Sequence, residues 1–190
     1  MINELGLKFK RLKTLNPRAN CNAAIIQRQQ FALLLLGQMM EGKRIINVDE
    51  SALGQGVYIR KAWCKGGKPA GHSIKPFGMR LSLLAAIDTD GRTYFAISQA
   101  TTDARMFGTF MQRLTAILDF EDPAWRDYTI ILLDGASYHI RGEALSAMAA
   151  LRMPIVFAGP YAYDASPCEK LFAHLKVGDI NPEDVKTGKR

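Results

Sequence analysis

Residues 128–139 read YTIILLDGASYH. Four aliphatic residues, Ile130, Ile131, Leu132 and Leu133, run directly into Asp134 and Gly135. A short apolar run closed by a turn signal reads as a buried strand of a parallel or mixed sheet. An acid at the carboxyl end of such a strand stands where open α/β sheets place their chemistry. The same two residues also suit a plain turn, opened by Asp134 and completed by Gly135. The stretch alone does not choose between these readings.

Working outward, residues 44–50 (RIINVDE) repeat the pattern: an aliphatic run that ends in Asp49, with Glu50 behind it. Residues 79–87 and 93–98 read as strands joined by the hairpin turn Asp88-Thr89-Asp90-Gly91. Residues 154–158 give a further buried strand, and residues 57–63 hold a short one. Apolar residues at helical spacing mark helices over 103–118, closed by Asp122-Pro123, and over 142–151 and 166–177. Another helix, over residues 22–41, carries Ile25, Ile26, Phe31, Leu34, Leu35 and Met39 as an apolar face expected to pack on the domain. Three meandering strands followed by alternating helices and strands form the pattern of an α/β, RNase H-like fold. It has a mixed five-stranded sheet with helices on both faces. The division is a basic leader and helical linker over 1–43, the domain over 44–177 and a tail over 178–190.

The 190 residues suffice for one domain with a sizeable core. Hydrophobic residues make up 48% and charged residues 23%, an ordinary globular balance. A formal net charge of +7 favours a polyanionic partner, nucleic acid first. Cys21, Cys64 and Cys168 lie far apart and form no zinc spacing, so they read as reduced thiols of an intracellular protein, in a bacterial cytoplasm or a eukaryotic nucleus. The most apolar run, residues 31–40, is too short to span a bilayer, so no membrane partner is expected. Residues 51–77 carry Lys61, Lys65 and Lys68 and no acid, which suits either a nucleic-acid-facing loop or a solvated one. Trp63, in the same stretch, suits a loop anchor or a base-stacking surface. Gly66-Gly67-Lys68 lacks the remaining residues of a phosphate loop. Residues 88–91 lack the offsets of a calcium loop.

In the expected topology the first and fourth strands are neighbours, which sets Asp49 beside Asp134 at one end of the sheet. Glu169 stands at the start of the last helix. Three carboxylates that converge repel one another, and divalent cations relieve that repulsion. Oxygen-only ligands favour Mg²⁺ or Mn²⁺ over zinc. Two such ions, about 3.5–4 Å apart, activate the attacking oxygen and stabilise the leaving one in phosphoryl transfer. Glu169 also fits a capping box with Ser166 at the N-cap and Pro167 at the first helical position.

These residues together resemble the catalytic domain of the DDE transposases, in particular the mariner-like superfamily and related bacterial insertion-sequence transposases. VDES at residues 48–51 is similar to the first motif, LDGASYH at 133–139 to the second, and PYAYDASPCE at 160–169 to the third. Thirty-four residues separate Asp134 from Glu169, as in one large branch of that family. The resemblance covers roughly residues 44–177. Gly135 stands where the family usually has Asn, and Gly159 where it usually has Pro. The resemblance implies Asp49, Asp134 and Glu169 as catalytic residues that hold two Mg²⁺ or Mn²⁺ ions. They would cut at transposon ends and join the 3′-hydroxyl to target DNA. It implies DNA as partner, with His139 and Lys176, alongside the lysines of the loop, as candidate DNA contacts. His139 suits equally a role in ordering the site. A homodimer or larger assembly is implied, and so is a separate end-recognition domain, because the 48 residues before Asp49 are too few for the family's usual reading modules. The rival expectations are a non-cutting DNA-binding or assembly module derived from a transposase, and a cellular RNase H-like nuclease.

Overall fold

The computed structural model describes residues 17–53, 81–135, 139, 142–162 and 165–177. After a single 3₁₀ turn, Pro17–Asn20, the elements are α1 (Asn22–Met40), β1 (Arg44–Leu53), β2 (Leu81–Asp88), β3 (Thr93–Ser98), α2 (Ala104–Glu121), α3 (Trp125–Tyr128), β4 (Thr129–Leu133), α4 (Gly142–Ala150), β5 (Ile155–Phe157) and α5 (Pro167–Val177). The strands form one sheet in the order β3-β2-β1-β4-β5. β1 is antiparallel to β2 and parallel to β4, which is parallel to β5. This is the expected mixed five-stranded sheet. The expected strand over 57–63 lies outside the described residues.

The pattern of side chains explains the layers. β4 is buried throughout, as a central strand covered on both faces must be. On one face Ile46, Val48, Leu84, Ile131 and Leu133 meet Phe107, Phe110, Met111 and Leu114 of α2, Trp125 of α3 and Met148 of α4. On the other face Ile45, Ile130 and Leu132 meet Phe31 of α1. Beside them Leu83 and Ala85 meet Cys168 and Phe172 of α5. α2 starts where Asp103 accepts the Met106 N–H at 2.8 Å. The single turn α3 is too short to show periodicity in sequence. It is fixed by buried Trp125, whose indole N–H donates to Asp119 at 2.8 Å.

One expectation is corrected. The apolar residues of α1 do not all pack on the domain: Phe31 and Leu35 join the core, whereas Ile26, Leu34 and Met39 are exposed. Leu33 and Met40, 71% and 80% exposed, point outward too. Residues 31–36 (FALLLL) are apolar around most of the helix, and a flat sheet covers one stripe of it.

The far end of the sheet is held by Asp88, the last residue of β2. Its carboxylate is fully buried and takes Arg44 Nη2 at 2.5 Å and Nε at 2.9 Å. It also accepts the N–H groups of Asp90 at 3.0 Å and Arg92 at 2.7 Å, while Gly91 supplies the positive φ of +83° that the hairpin needs. Asp88→Ala leaves the Arg44 guanidinium half-buried without its counter-charge and unties the turn. Urea denaturation is expected to show a loss of about 3–5 kcal/mol.

Candidate active site

The parallel pairing of β1 with β4 sets Val48 opposite Leu133. The next residues along each strand, Asp49 and Asp134, therefore stand side by side at the carboxyl end of the β1–β4 pairing. β1 continues past Asp49 against β2, with Asp49 opposite Ala85 and Glu50 opposite Leu84. Alternation along β1 then divides the polar residues between two faces. Asn47 and Asp49 point to the side of α5; Glu50 points with Ile46 and Val48 to the side of α2. Glu169, in the first turn of α5, completes the set. Asn47, Asp49, Asp134, Gly159, Ser166 and Glu169 share the lining of one cleft of about 370 Å³. The three acids face this cleft from three elements. Among the described residues no three His, Cys, Asp or Glu side chains are already closed around one point in the manner of a metal cage.

The electrostatics of the cleft are those of crowded carboxylates. The Asp49 carboxyl is pushed up to about 6. Burial is the main cause, opposed by the Glu50 N–H, which donates to Oδ1 at 2.8 Å, and reinforced by the charges of Glu50, Glu169 and Asp134. The donor set is all oxygen, and its chemistry fits a hard divalent cation.

A buried amide that sequence reading missed holds these parts together. Asn47 Nδ2 donates to Leu132 O at 3.3 Å, across to β4. Asn47 Oδ1 accepts from the Ser166 hydroxyl and from the Cys168 N–H, each at 3.0 Å. The Ser166 hydroxyl also lies 3.3 Å from Asp49 Oδ2. The Cys168 thiol contacts the carbonyls of Asn47 and Ala85 at 3.2 and 3.6 Å, and burial pushes it up to about 12. The first turn of α5 is thus capped from another strand, where the sequence suggested a local capping box. The one sequence signal for Asn47 is an amide inside an otherwise aliphatic strand.

His139 lies on the opposite face. Its ring is fully buried, with its centroid 4.1 Å from that of Phe107. Nδ1 meets Asp134 Oδ1 at 2.6 Å and Nε2 faces Glu50 Oε2 at 3.4 Å. Burial acts to lower its pKa, but the hydrogen bonds and charges of Asp134 and Glu50 outweigh it and raise the ring to about 9. The expected contact of His139 with a DNA phosphate is therefore corrected. The ring is inside the domain, holding Asp134 from behind, while the Asp134 side chain stays 55% exposed.

Of the other candidates, Lys61, Lys65, Lys68 and Trp63 lie outside the described residues. Lys176 falls in α5, two turns beyond Glu169, and its side chain is likewise outside them. The two glycines behave differently. A Cβ on Gly135 would meet nothing within 4 Å. A Cβ on Gly159 would meet Arg28 Cα at 3.0 Å and Gln27 O at 3.3 Å, so glycine there lets α1 lie directly on the cleft wall. Arg28 fastens the contact, donating from Nη1 to Pro160 O at 3.3 Å and Ala19 O at 2.6 Å.

Comparison with known proteins supplies the family and the fold. A family model described as DDE superfamily endonuclease matches residues 44–187. Among solved structures, the Mos1 mariner paired end complex with Mn is similar at 21% identity and a TM-score of 0.69, over 92% of this chain and 54% of that one. The Mos1 transposase paired-end complex with left transposon end is similar at 22% identity and a TM-score of 0.70, over 98% and 59%. The catalytic domain of Mos1 mariner transposase is similar at 19% identity and a TM-score of 0.61, over 92% and 80%. At these identities the likeness establishes the RNase H-like fold. The chain spans little more than half the length of the transposase chains in the two paired-end complexes. No curated protein matches it.

Asn47→Ala strands the buried Cys168 N–H and leaves the Ser166 hydroxyl with Asp49 Oδ2 alone. A loss of about 2–4 kcal/mol in urea denaturation is expected. His139→Ala leaves Asp134 and Glu50 without the cation between them and empties the space beside Phe107. It is expected to cost about 2–4 kcal/mol by the same measurement.

Proposed function

Because the chain belongs to the DDE superfamily endonucleases, we propose that it carries the catalytic unit of a transposase, which cuts phosphodiester bonds at transposon ends and joins the 3′-hydroxyl to target DNA. The observation that carries this reading is the shared cleft: Asp49 in β1 just past its pairing with β4, Asp134 just past the end of β4, and Glu169 facing them from α5.

In this reading Asp49, Asp134 and Glu169 hold two Mg²⁺ or Mn²⁺ ions, which when bound supply the Lewis acidity that activates the attacking oxygen and neutralises the leaving one. The residues of the chain do the positioning. Asn47 fixes the start of α5, and thereby Glu169, against the strand that bears Asp49. His139 orients Asp134 through one oxygen, from the face opposite the cleft. Asp49, held near a pKa of 6 by burial and by its acidic neighbours, would be favoured in its charged form by a cation. The Asp134 side chain is 55% exposed, and the net charge of +7 suits a polyanionic backbone. The Mos1 structures are described as paired-end and left-end complexes. By extension the partner is transposon-end and target DNA, handled by a homodimer or larger assembly because two ends must be joined. The protein works in the compartment that holds its DNA, a bacterial cytoplasm or a eukaryotic nucleus.

The test is nicking of supercoiled plasmid and of end-bearing oligonucleotides in Mg²⁺ or Mn²⁺. Asp49→Asn, Asp134→Ala and Glu169→Gln are each expected to lower cleavage about a thousandfold, the several kcal/mol that such charge stabilisation supplies. Cleavage that persists in EDTA or in Asp134→Ala would overturn the reading. DNA retention without any cleavage would identify a non-cutting assembly module, and cleavage of branched or hybrid substrates without strand transfer a cellular nuclease.

A further inference from the structure

The other end of the sheet presents a surface that the cleft does not use. β3 is an edge strand, and among the described residues no strand pairs with its outer side. Edge strands are normally blunted by charge, proline, bulges or shortness. β3 reads TYFAIS and has none of these over its six residues. The opposite edge, β5, is blunted by its length of three residues.

The register shows which main-chain groups the edge exposes. The Asp88 N–H donates to Arg92 O at 3.0 Å, which makes that position hydrogen-bonded in the β2–β3 ladder. Antiparallel pairs alternate, so Tyr94, Ala96 and Ser98 turn their N–H and C=O groups toward β2. Thr93, Phe95 and Ile97 turn theirs outward. The side chains of Phe95 and Ile97, 67% and 57% exposed, form an apolar pair on the face away from α2. On the face toward α2, a second cleft of about 360 Å³ runs between β3 and the helix. Its floor includes Ala96 and Phe110, and Arg105 and Arg113 line it. Both arginines are exposed, and neither guanidinium has a hydrogen-bond or ion-pair partner among the described residues. Asp103 is the acid in this cleft, and its carboxylate is engaged in capping α2.

We propose that the outer edge of β3 docks an extended acidic segment of a partner protein, which joins the sheet as a sixth strand. The main-chain ladder of Thr93, Phe95 and Ile97 supplies pairing. Alternate side chains of the incoming strand fall on opposite faces, apolar ones on Phe95 and Ile97 and acidic ones toward Arg105 and Arg113. Charge selects this occupant over two others. A second copy paired with itself across a two-fold axis would bring the arginines of two chains of net charge +7 together. A nucleic acid would use the arginines but leave the peptide ladder and the Phe95–Ile97 pair uncovered.

The probe is a fluorescein-labelled peptide of four Glu-Val repeats, titrated with the whole chain and read by fluorescence anisotropy. Controls are the Lys-Val peptide and a Glu-Val peptide N-methylated at alternate residues. Saturable binding of the Glu-Val peptide alone is expected. Arg105→Glu with Arg113→Glu, and separately Phe95→Lys with Ile97→Lys, are each expected to weaken it about tenfold or more. All four side chains are exposed, and circular dichroism confirms folding of both double variants. Amide exchange at Phe95 and Ile97 is expected to slow when the peptide is bound. Equal binding of the three peptides, or unchanged exchange at those amides, would overturn the proposal. So would self-association that Phe95→Lys abolishes without any peptide binding, or a duplex DNA whose affinity alone responds to Arg105→Glu.

Discussion

The amide of Asn47 sits where three elements meet, and each of the three carries one acid of the cleft. A primary amide taken out of water costs several kcal/mol unless its donors and acceptor lone pairs are matched. Here its oxygen takes two donors from the start of α5 and its nitrogen reaches a carbonyl of β4. That satisfaction is available in one arrangement of β1, β4 and α5. The polar group therefore does more than tolerate burial: it selects the relative placement of Asp49, Asp134 and Glu169, which apolar packing, being non-directional, fixes less sharply.

The two-residue period of β1 adds a division of labour. Asp49 faces α5 and the cleft, whereas Glu50, one residue on, faces α2 and meets His139. The positive charge that compensates the acids is thus delivered from the α2 side, to Asp134 and Glu50. The cleft side keeps its carboxylates together, and burial, reinforced by the neighbouring charges, raises the Asp49 pKa. The ring of His139 meets these acids from the α2 side, while Asp49 and Glu169 face the cleft.

Much of this was legible in the residues. The continuous apolar run of β4 and the Asp-Thr-Asp-Gly turn identify their elements because each depends on local chemistry alone. Asp49 and Asp134 stand out because both end aliphatic runs, and Glu169 because of its distance from Asp134. What escaped is what depends on partners remote in sequence. Asn47 is separated by well over a hundred residues from Ser166 and Cys168, and nothing in RIINVDE announces them. His139 suited a phosphate contact and an ordering role equally, because nothing near it in sequence announces that its ring lies against Phe107. The outward apolar residues of α1 escaped because a run that is apolar on every side does not say which side the sheet takes.

Gly159 also joins the cleft to a part of the molecule far from its chemistry. At this residue the backbone of α1 rests directly on the cleft wall, with no side chain between them, and Arg28 clamps the contact. Beside this point Phe31 and Leu35 of α1 share an apolar cluster with Ala158 and Ala162 of the same wall. A side chain at position 159 would therefore have to displace α1 from the wall of the cleft that the acids line.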